Sequence, residues 1–286
     1  MTLDNTSTEM PPPYKTTAPL IMGILNVTPD SFSDGGRHND PESAVKHALK
    51  MVEQGANIID IGGESTRPGA DTVDAEEQLR RVLPVIARLR EKLPDNFPLS
   101  IDTTNIEVAR ASVDAGVNWL NDISAAEESS EMLDLAANKK LPIVLMHRQG
   151  KSAMMQDAPC YEDVCIEVFS YLLARADIAM ARGVAKKHIV LDPGIGFGKL
   201  LEHNLAILHG LPQLCDHGFA VLLGTSRKRF LSLICDEADT SRLAVATAAT
   251  TALAVQAGAQ ILRVHDVIEN RQAADVAWAI QRSNQA

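Results

Sequence analysis

The sequence predicts a single (β/α)8 TIM barrel with long loops after its first and second strands, over the C-terminal face. Its length of 286 residues is close to the usual size of this fold, roughly 250 residues. Eight short apolar segments alternate with helical segments, and no Pro-, Gly- or Ser-rich linker interrupts them. Polar residues follow the apolar segments, as at the catalytic edge of α/β enzymes. A doubly wound open sheet shares the alternation, but the count of eight favours the barrel.

The strand segments are short, mostly apolar and often β-branched, as in parallel strands that are buried on both faces. They are predicted at residues 20–26, 57–61, 99–102, 117–121, 142–146, 188–192, 220–224 and 260–264. Helices are predicted from residue 41, at 74–92, 105–115, 130–137 and 161–182, from 202, in a region up to 256, and at 266–282.

The chain begins with a polar segment that contains three consecutive prolines. We therefore predict a flexible tail over residues 1–18 and one barrel domain over residues 19–286. The tail lacks the basic and apolar regions of a signal peptide. No run reaches the roughly 18 apolar residues of a membrane span, so a cytoplasmic protein without a membrane partner is expected.

The composition limits the classes of partner. A net charge of −10, without a basic run, argues against nucleic-acid binding. The four cysteines do not have the spacing of a zinc site and are typical of thiols in a reducing compartment. An acidic protein that binds an anion must concentrate its cations locally, which gives weight to clustered Arg, Lys and His residues.

The segment at residues 60–69 reads Asp-Ile-Gly-Gly-Glu-Ser-Thr-Arg-Pro-Gly and follows the second strand. Its two glycines allow a sharp turn, and polar side chains including Thr66 and Arg67 follow them. An ordinary βα turn rarely needs ten residues. The segment is therefore predicted to be a functional loop.

Polar residues end most of the predicted strands, and a barrel brings these ends to one face. They are Asn26, Asp60, Asp102, Asn121, His147, Asp192, Arg263 and His265. A single Asp after a strand is more often a helix cap, but several carboxylates beside an apolar core need partners. Asp102 and Asp192 can only accept hydrogen bonds when ionised, and Asn121 can also donate. This set suits a flat heterocycle with several N–H donors.

Two further segments favour a ligand with a ring and an anion. Residues 192–199 read Asp-Pro-Gly-Ile-Gly-Phe-Gly-Lys, which is neither a dinucleotide-binding motif nor a P-loop. A loop of this kind can place Phe197 against a ring, although a flexible turn is the alternative. Lys228, Arg263 and His265 follow the last two strands, where this fold usually binds phosphate. A solvated basic patch and a helix cap are the alternatives there.

Five segments together resemble dihydropteroate synthase: residues 26–36, 60–69, 192–199, 226–228 and 263–267. They occur in the family's order, and the resemblance spans roughly residues 20–279. It implies an SN1-like condensation of 6-hydroxymethyl-7,8-dihydropterin diphosphate with p-aminobenzoate, which releases pyrophosphate and gives 7,8-dihydropteroate for folate biosynthesis. It also implies Mg²⁺, a homodimer, and a transferase of the class that sulfonamides target.

The resemblance also implies site residues. The pterin would contact Asp102, Asn121, Met146, Asp192, Phe197 and Lys228. The diphosphate would contact Asn26, Thr66, Arg67, Arg263 and His265, with Asn26 also binding Mg²⁺. The p-aminobenzoate would contact Phe32, Asp34, Thr66, Pro68, Lys228 and Arg229. The catalytic set would be Asn26, Asp102, Asp192, Lys228 and Arg263.

Three residues depart from the family pattern. Ile195 replaces a usual Phe, Arg148 replaces a frequent Met, and Arg229 replaces a frequent Ser. Two rival functions share the pterin-binding residues. One is a methyltetrahydrofolate:corrinoid methyltransferase, which needs no diphosphate site, and the other is a non-catalytic pterin-binding paralogue.

Overall fold

The computed structural model describes residues 18–28, 41–64, 73–150 and 159–283. Its strands are all parallel and close into one barrel in chain order, with the first strand paired to the last. The predicted (β/α)8 barrel is confirmed, and the open-sheet alternative is wrong. Most of the two long loops, at residues 29–40 and 65–72, lies outside the described residues.

The strands are β1 (Leu20–Asn26), β2 (Ile58–Gly62), β3 (Leu99–Asp102), β4 (Trp119–Asp122), β5 (Ile143–Met146), β6 (Ile189–Asp192), β7 (Ala220–Leu223) and β8 (Ile261–Val264). Their bounds differ from the predicted ones by at most two residues. The largest difference is the start of β4, expected at Val117. The Val117 N–H donates instead to the Ser112 carbonyl oxygen at the end of the preceding helix.

The helices are α1 (Pro41–Glu53), α2 (Ala75–Lys92), α3 (Ile106–Asp114), α4 (Glu131–Lys139), α5 (Val164–Ala181), α6 (Leu201–Cys215), α7 (Arg229–Cys235), α8 (Ala244–Ala257) and α9 (Val267–Ser283). α5 starts later than expected because Asp163 caps it, accepting a bond from Ile166 N at 3.0 Å. The helical region after β7 is divided at Asp236, which has a left-handed φ of 50°. Within the described ranges, no helix combines the length and hydropathy needed to cross a bilayer.

Side chains on each strand alternate between two apolar cores. One core fills the barrel and contains Met22, Ile58, Trp119, Val144, Val190, Ala220, Leu222 and Ile261. The other lies between the barrel and the helices and includes Ile59, Ile61, Leu99, Ile101, Leu120, Leu145, Leu191, Leu262 and Val264. Both faces of each strand are therefore buried, which explains the continuous apolar segments in the sequence.

The alternation decides which strand-end residues point into the barrel. In β2, Ile59 and Ile61 face the helices, so Asp60 lies on the inner face above Ile58. The same reasoning places Asp192 above Val190 and Arg263 above Ile261. The inner residues at the carboxyl ends of the strands therefore form a polar layer above an apolar one.

Candidate active site

The centre of this polar layer is Arg263, which lies between two carboxylates. Its Nε donates to Oδ2 of Asp60 at 2.7 Å, and its Nη2 donates to Oδ2 of Asp102 at 2.5 Å. Asn121 joins the group, since its Nδ2 donates to the same Asp60 oxygen at 2.9 Å. Four strands, β2, β3, β4 and β8, thus contribute one polar side chain each to a single hydrogen-bonded network.

Two carboxylate oxygens of this network remain available. Oδ1 of Asp60 and Oδ1 of Asp102 are buried and have no hydrogen-bond partner among the residues that the structure describes. A buried carboxylate oxygen without a donor is costly, so such atoms are expected to be satisfied by a ligand or water. At the barrel mouth, this arrangement favours a ligand that presents N–H groups.

A second carboxylate site lies on β6, next to Met146 of β5 in the strand register. Asp192 accepts a bond from Gly194 N at 2.7 Å through its Oδ1. Nearby, Lys228 donates to the carbonyl oxygen of Ile195, and its Nζ lies 4.4 Å from the centre of the Phe197 ring. The mouth therefore combines a carboxylate, an ammonium group and an aromatic face.

Burial changes the protonation equilibria of these groups. It raises the pKa of Asp102, an effect that Arg263 opposes and the nearby charge of Asp60 increases. Burial also raises the pKa of Asp192, against the attraction of Lys228. Burial lowers the pKa of Lys228 to about 8, even though Asp192 favours its charged form. These are the shifts expected of charges that are held in a medium of low polarity.

The glycine-rich loop at residues 192–199 packs directly against the end of β5. Gly194 has a left-handed φ of 65°, and a Cβ built on it would lie 1.9 Å from the His147 carbonyl oxygen. Lys199 fastens the two segments together. Its buried Nζ lies 2.9 Å from Gly194 O, 3.0 Å from Phe197 O and 3.0 Å from Nδ1 of His147. The buried Lys199 side chain therefore stabilises the position of the loop that carries Phe197.

This buried contact affects the two basic groups that form it. Burial, together with the charge of Lys228, lowers the pKa of Lys199 to about 7. Burial and the neighbouring Lys199 lower the pKa of His147 to about 3, so the imidazole is neutral at physiological pH. His147 accordingly acts here as a hydrogen-bonding side chain and not as a cation.

Substituting Gly194 with alanine is expected to lower the free energy of unfolding by about 3 kcal/mol, because strain at a left-handed φ adds to a backbone clash. Gly183 provides a matched control. It has a φ of 93°, but a Cβ there would meet only the Ala137 Cβ, at 3.7 Å. Gly183→Ala should cost about 1–2 kcal/mol. Urea titration of both variants tests this, and equal losses would contradict the assigned clash.

A cleft of about 510 Å³ opens between α1 and the start of α9, and it extends to the end of β1 and to the residue that follows β8. The β1–β8 register ends at Gly23 and Val264, and Asn26 and His265 line the cleft just beyond it. Ser226 Oγ lies 2.9 Å from Nδ1 of His265. Two residues expected at the diphosphate, Asn26 and His265, are therefore close to each other.

The structure brings the described candidates to one end of the barrel, with one unexpected placement. Arg263, predicted at the diphosphate, is bonded to Asp102, which was predicted at the pterin. Arg229 is exposed at the start of α7. The roles of all these residues stay predictions. The other predicted residues lie outside the described ranges: Phe32, Asp34, Thr66, Arg67 and Pro68.

The sequence prediction omitted three residues that the structure places in this region. They are Asp60, His147 and Lys199. Asp60 and His147 were recognised as strand-end residues, and that position was the signal available for both. Lys199 was considered only as the last residue of the 192–199 segment and was given no role, because its burial depends on how two loops pack.

Sequence comparison assigns the family. A family model described as pterin binding enzyme matches residues 22–265. A dihydropteroate synthase of Synechocystis is 46% identical over 288 residues, which covers 98% of this chain and 99% of that protein. The Escherichia coli dihydropteroate synthase is 44% identical over 261 residues, or 91% of each chain. The chain belongs to the dihydropteroate synthase family. It is therefore a transferase, as the five motifs predicted.

Solved structures of dihydropteroate synthases share the fold closely. The Xanthomonas albilineans enzyme, solved with 4-aminobenzoic acid, has a TM-score of 0.86 and 46% identity, covering 92% of this chain and 93% of that one. The Yersinia pestis enzyme, solved in a sulfonamide drug complex, has a TM-score of 0.86 and 41% identity, covering 93% and 95%. The polar layer at the barrel mouth therefore belongs to a dihydropteroate synthase barrel.

Proposed function

We propose that this dihydropteroate synthase family member condenses 6-hydroxymethyl-7,8-dihydropterin diphosphate with p-aminobenzoate at the barrel mouth. The product is 7,8-dihydropteroate, and pyrophosphate leaves. The observation that carries the proposal is the buried network of Asp60, Asp102, Asn121 and Arg263, which leaves one oxygen of Asp102 for an N–H group of a pterin. The related Xanthomonas albilineans enzyme has also been solved with 7,8-dihydropteroate.

The arrangement of charges supports a reaction in which pyrophosphate departs before the amine attacks. Departure leaves positive charge on the exocyclic carbon of the pterin. Buried carboxylates fixed in position, Asp102 and Asp192, stabilise such a charge more strongly than water does. The incoming aromatic amine is already a nucleophile, so a strong general base is not required. Phe197 and Lys228 cover one side of the same region, where exclusion of water favours the amine.

Magnesium is part of the proposal. Asn26 supplies an amide oxygen at the mouth and lines the cleft with His265. Among the described residues, no group of three or more His, Cys, Asp or Glu side chains is arranged to hold a metal. With one protein oxygen from Asn26, the substrate's phosphates and water would supply the remaining ligands of Mg²⁺. Bound there, Mg²⁺ would neutralise the departing pyrophosphate.

The decisive test is pyrophosphate release from the pterin diphosphate in the presence of Mg²⁺, with p-aminobenzoate added or withheld. Release that depends on p-aminobenzoate, together with formation of dihydropteroate, would support the proposal. Tight pterin binding without product would indicate the non-catalytic paralogue. Methyl transfer from methyltetrahydrofolate without use of the diphosphate would indicate the corrinoid methyltransferase.

The pH dependence of kcat/KM follows from two groups. Asp102 must be ionised for activity, and burial raises its pKa above the ordinary aspartate value of about 4. Activity should therefore begin to fall on acidification at a pH higher than about 4. Lys228 must be protonated, and its pKa of about 8 places the alkaline limb near that pH. The profile should be a bell. Lys228→Arg should move the alkaline limb upward, whereas an unchanged limb would contradict the assignment.

The same proposal includes a cytoplasmic homodimer formed through α8 and α9. Several apolar side chains on these packed helices are exposed, namely Val245, Leu253, Val276 and Ile280. Val276 and Ile280 lie on one face of α9, four residues apart. An exposed apolar patch of this kind favours a protein partner, and a second copy is the one proposed. Val276→Glu/Ile280→Glu should convert a dimer to a monomer in analytical ultracentrifugation, and a monomeric parent would refute the dimer.

A further inference from the structure

We infer that Asp60 is a positioning residue of the pterin pocket, acting through Arg263 and Asn121. The inference deepens the proposed function and rests on it, since the pocket is the one assigned to the pterin. Asp60 was not among the residues expected to touch substrate. Its position, its partners and its charge each support the role.

The position of Asp60 is inside the barrel and below the mouth. It is fully buried, whereas the side chain of Arg263 is 18% exposed. Asp60 is also the inner residue directly above Ile58 of the barrel core. The fold does not require a carboxylate at this position, because a hydrophobic side chain would be less costly to bury in an apolar core.

The partners of Asp60 are two side chains on distant strands. One oxygen, Oδ2, accepts from Asn121 Nδ2 at 2.9 Å and from Arg263 Nε at 2.7 Å. With Nε held in this way, the planar guanidinium has one orientation in which Nη2 can also reach Asp102. Asp60 therefore orients both the guanidinium group of Arg263 and the side-chain amide of Asn121.

The charge of Asp60 also acts on Asp102. The charged groups that act on the titration of Asp102 are Arg263, Asp60, Asp122, Glu64 and Lys228. Arg263 favours the ionised form of Asp102, whereas Asp60 opposes it. Removing the charge of Asp60 should therefore lower the pKa of Asp102. Asp122 also raises the pKa of Asp102, but by less than Asp60 does, so the shift in Asp60→Asn should exceed the shift in Asp122→Asn.

Asp122 is a matched control, because it is also a fully buried aspartate at the end of a strand. Its side chain points to the opposite face of β4 from Asn121, and among the described residues its carboxylate accepts bonds only within its own loop, from Ser124 N at 2.7 Å, Ser124 Oγ at 2.6 Å and Ala126 N at 3.0 Å. Its loss should weaken that loop and leave the pterin network in place.

The experiment is isothermal titration of the full-length protein with the pterin diphosphate and Mg²⁺, over a pH series. Asp60→Asn should bind about tenfold more weakly at about pH 8, because one charge-assisted contact is lost and the guanidinium group is released. The pH below which the affinity of Asp60→Asn falls should also be lower than in the parent. Asp122→Asn should lower Tm and keep its affinity within about twofold of the parent at that pH. The inference would be overturned if Asp60→Asn bound with the parental affinity and lost affinity on acidification at the same pH as the parent.

The design separates this inference from the proposed function. If the parent protein does not bind the pterin diphosphate, the proposed function fails, and the role of Asp60 fails with it. If the parent binds and Asp60→Asn behaves like it, only the role of Asp60 fails.

Should Asp60→Asn not fold, the Tm values of Arg263→Gln and Asp60→Asn/Arg263→Gln test the same contact. The double variant should melt higher, because Asp60 is no longer buried without its cation. A lower or equal Tm would overturn the inference.

Discussion

Asp102→Asn is expected to lower kcat/KM for the pterin diphosphate by about 10²- to 10³-fold. Removal of one preorganised electrostatic group from an active site has an effect of that size. Asp102 is buried and bonded to Arg263 through one oxygen, while its other oxygen has no partner among the described residues. An asparagine keeps the shape but presents a neutral group to the developing cation. The measurement is steady-state pyrophosphate release with saturating p-aminobenzoate and Mg²⁺.

The comparison variant for this test is Asp122→Asn, whose carboxylate lies at the same end of the barrel and faces away from the network. It should retain kcat/KM within about threefold at a temperature where it is folded. Circular dichroism of both variants separates loss of chemistry from loss of structure. A folded Asp102→Asn variant with parental kcat/KM would refute the role of Asp102 in the reaction.

Arg263→Met is expected to lower the free energy of unfolding at neutral pH by about 3–5 kcal/mol, the usual cost of removing one partner of a buried ion pair. Two carboxylates lose their cation, because Arg263 bonds to both Asp60 and Asp102. The attraction is mutual, and both carboxylates raise the pKa of the guanidinium although burial lowers it. Urea unfolding followed by fluorescence or circular dichroism measures the effect.

The pH dependence of that loss has a definite sign. In Arg263→Met the pKa of Asp102, already raised by burial, should rise further, because the opposing charge of Arg263 is gone. A carboxyl whose pKa is raised by folding stabilises the fold at low pH and loses that contribution as pH increases. The deficit of the variant should therefore be smaller at about pH 5 than at about pH 8. A deficit that grows on acidification would contradict the pairing.

Much of the fold could be predicted from the sequence, because strand segments buried on both faces are apolar throughout and the polar residues mark their ends. β1 and β3 have the predicted bounds. The polar layer could also be predicted, since parallel strands in a barrel end on one face. Asp102, Asn121 and Asp192 do lie at that face, on β3, β4 and β6.

The pairing within the layer could not be predicted, because it depends on side-chain direction and on the barrel's closure. Asp122 and Asn121 are neighbours in sequence, yet only Asn121 faces inward, and the start of β4 was itself misplaced by two residues. Arg263 was predicted at an anion because it is basic and follows the last strand. That reasoning did not include the two aspartates that lie across the barrel from it.

The ion pairs of Arg263 also carry information about when the active site can form. They join residues 203 and 161 positions apart in the chain, and the strand that bears Arg263 is the last to be made. A ribosome-bound chain that lacked β8 would have an open sheet edge and two aspartates without their counter-ion. Pterin binding is therefore expected to arise only after β8 has been made and has closed the barrel, and a chain that ends before β8 would expose an unpaired strand edge.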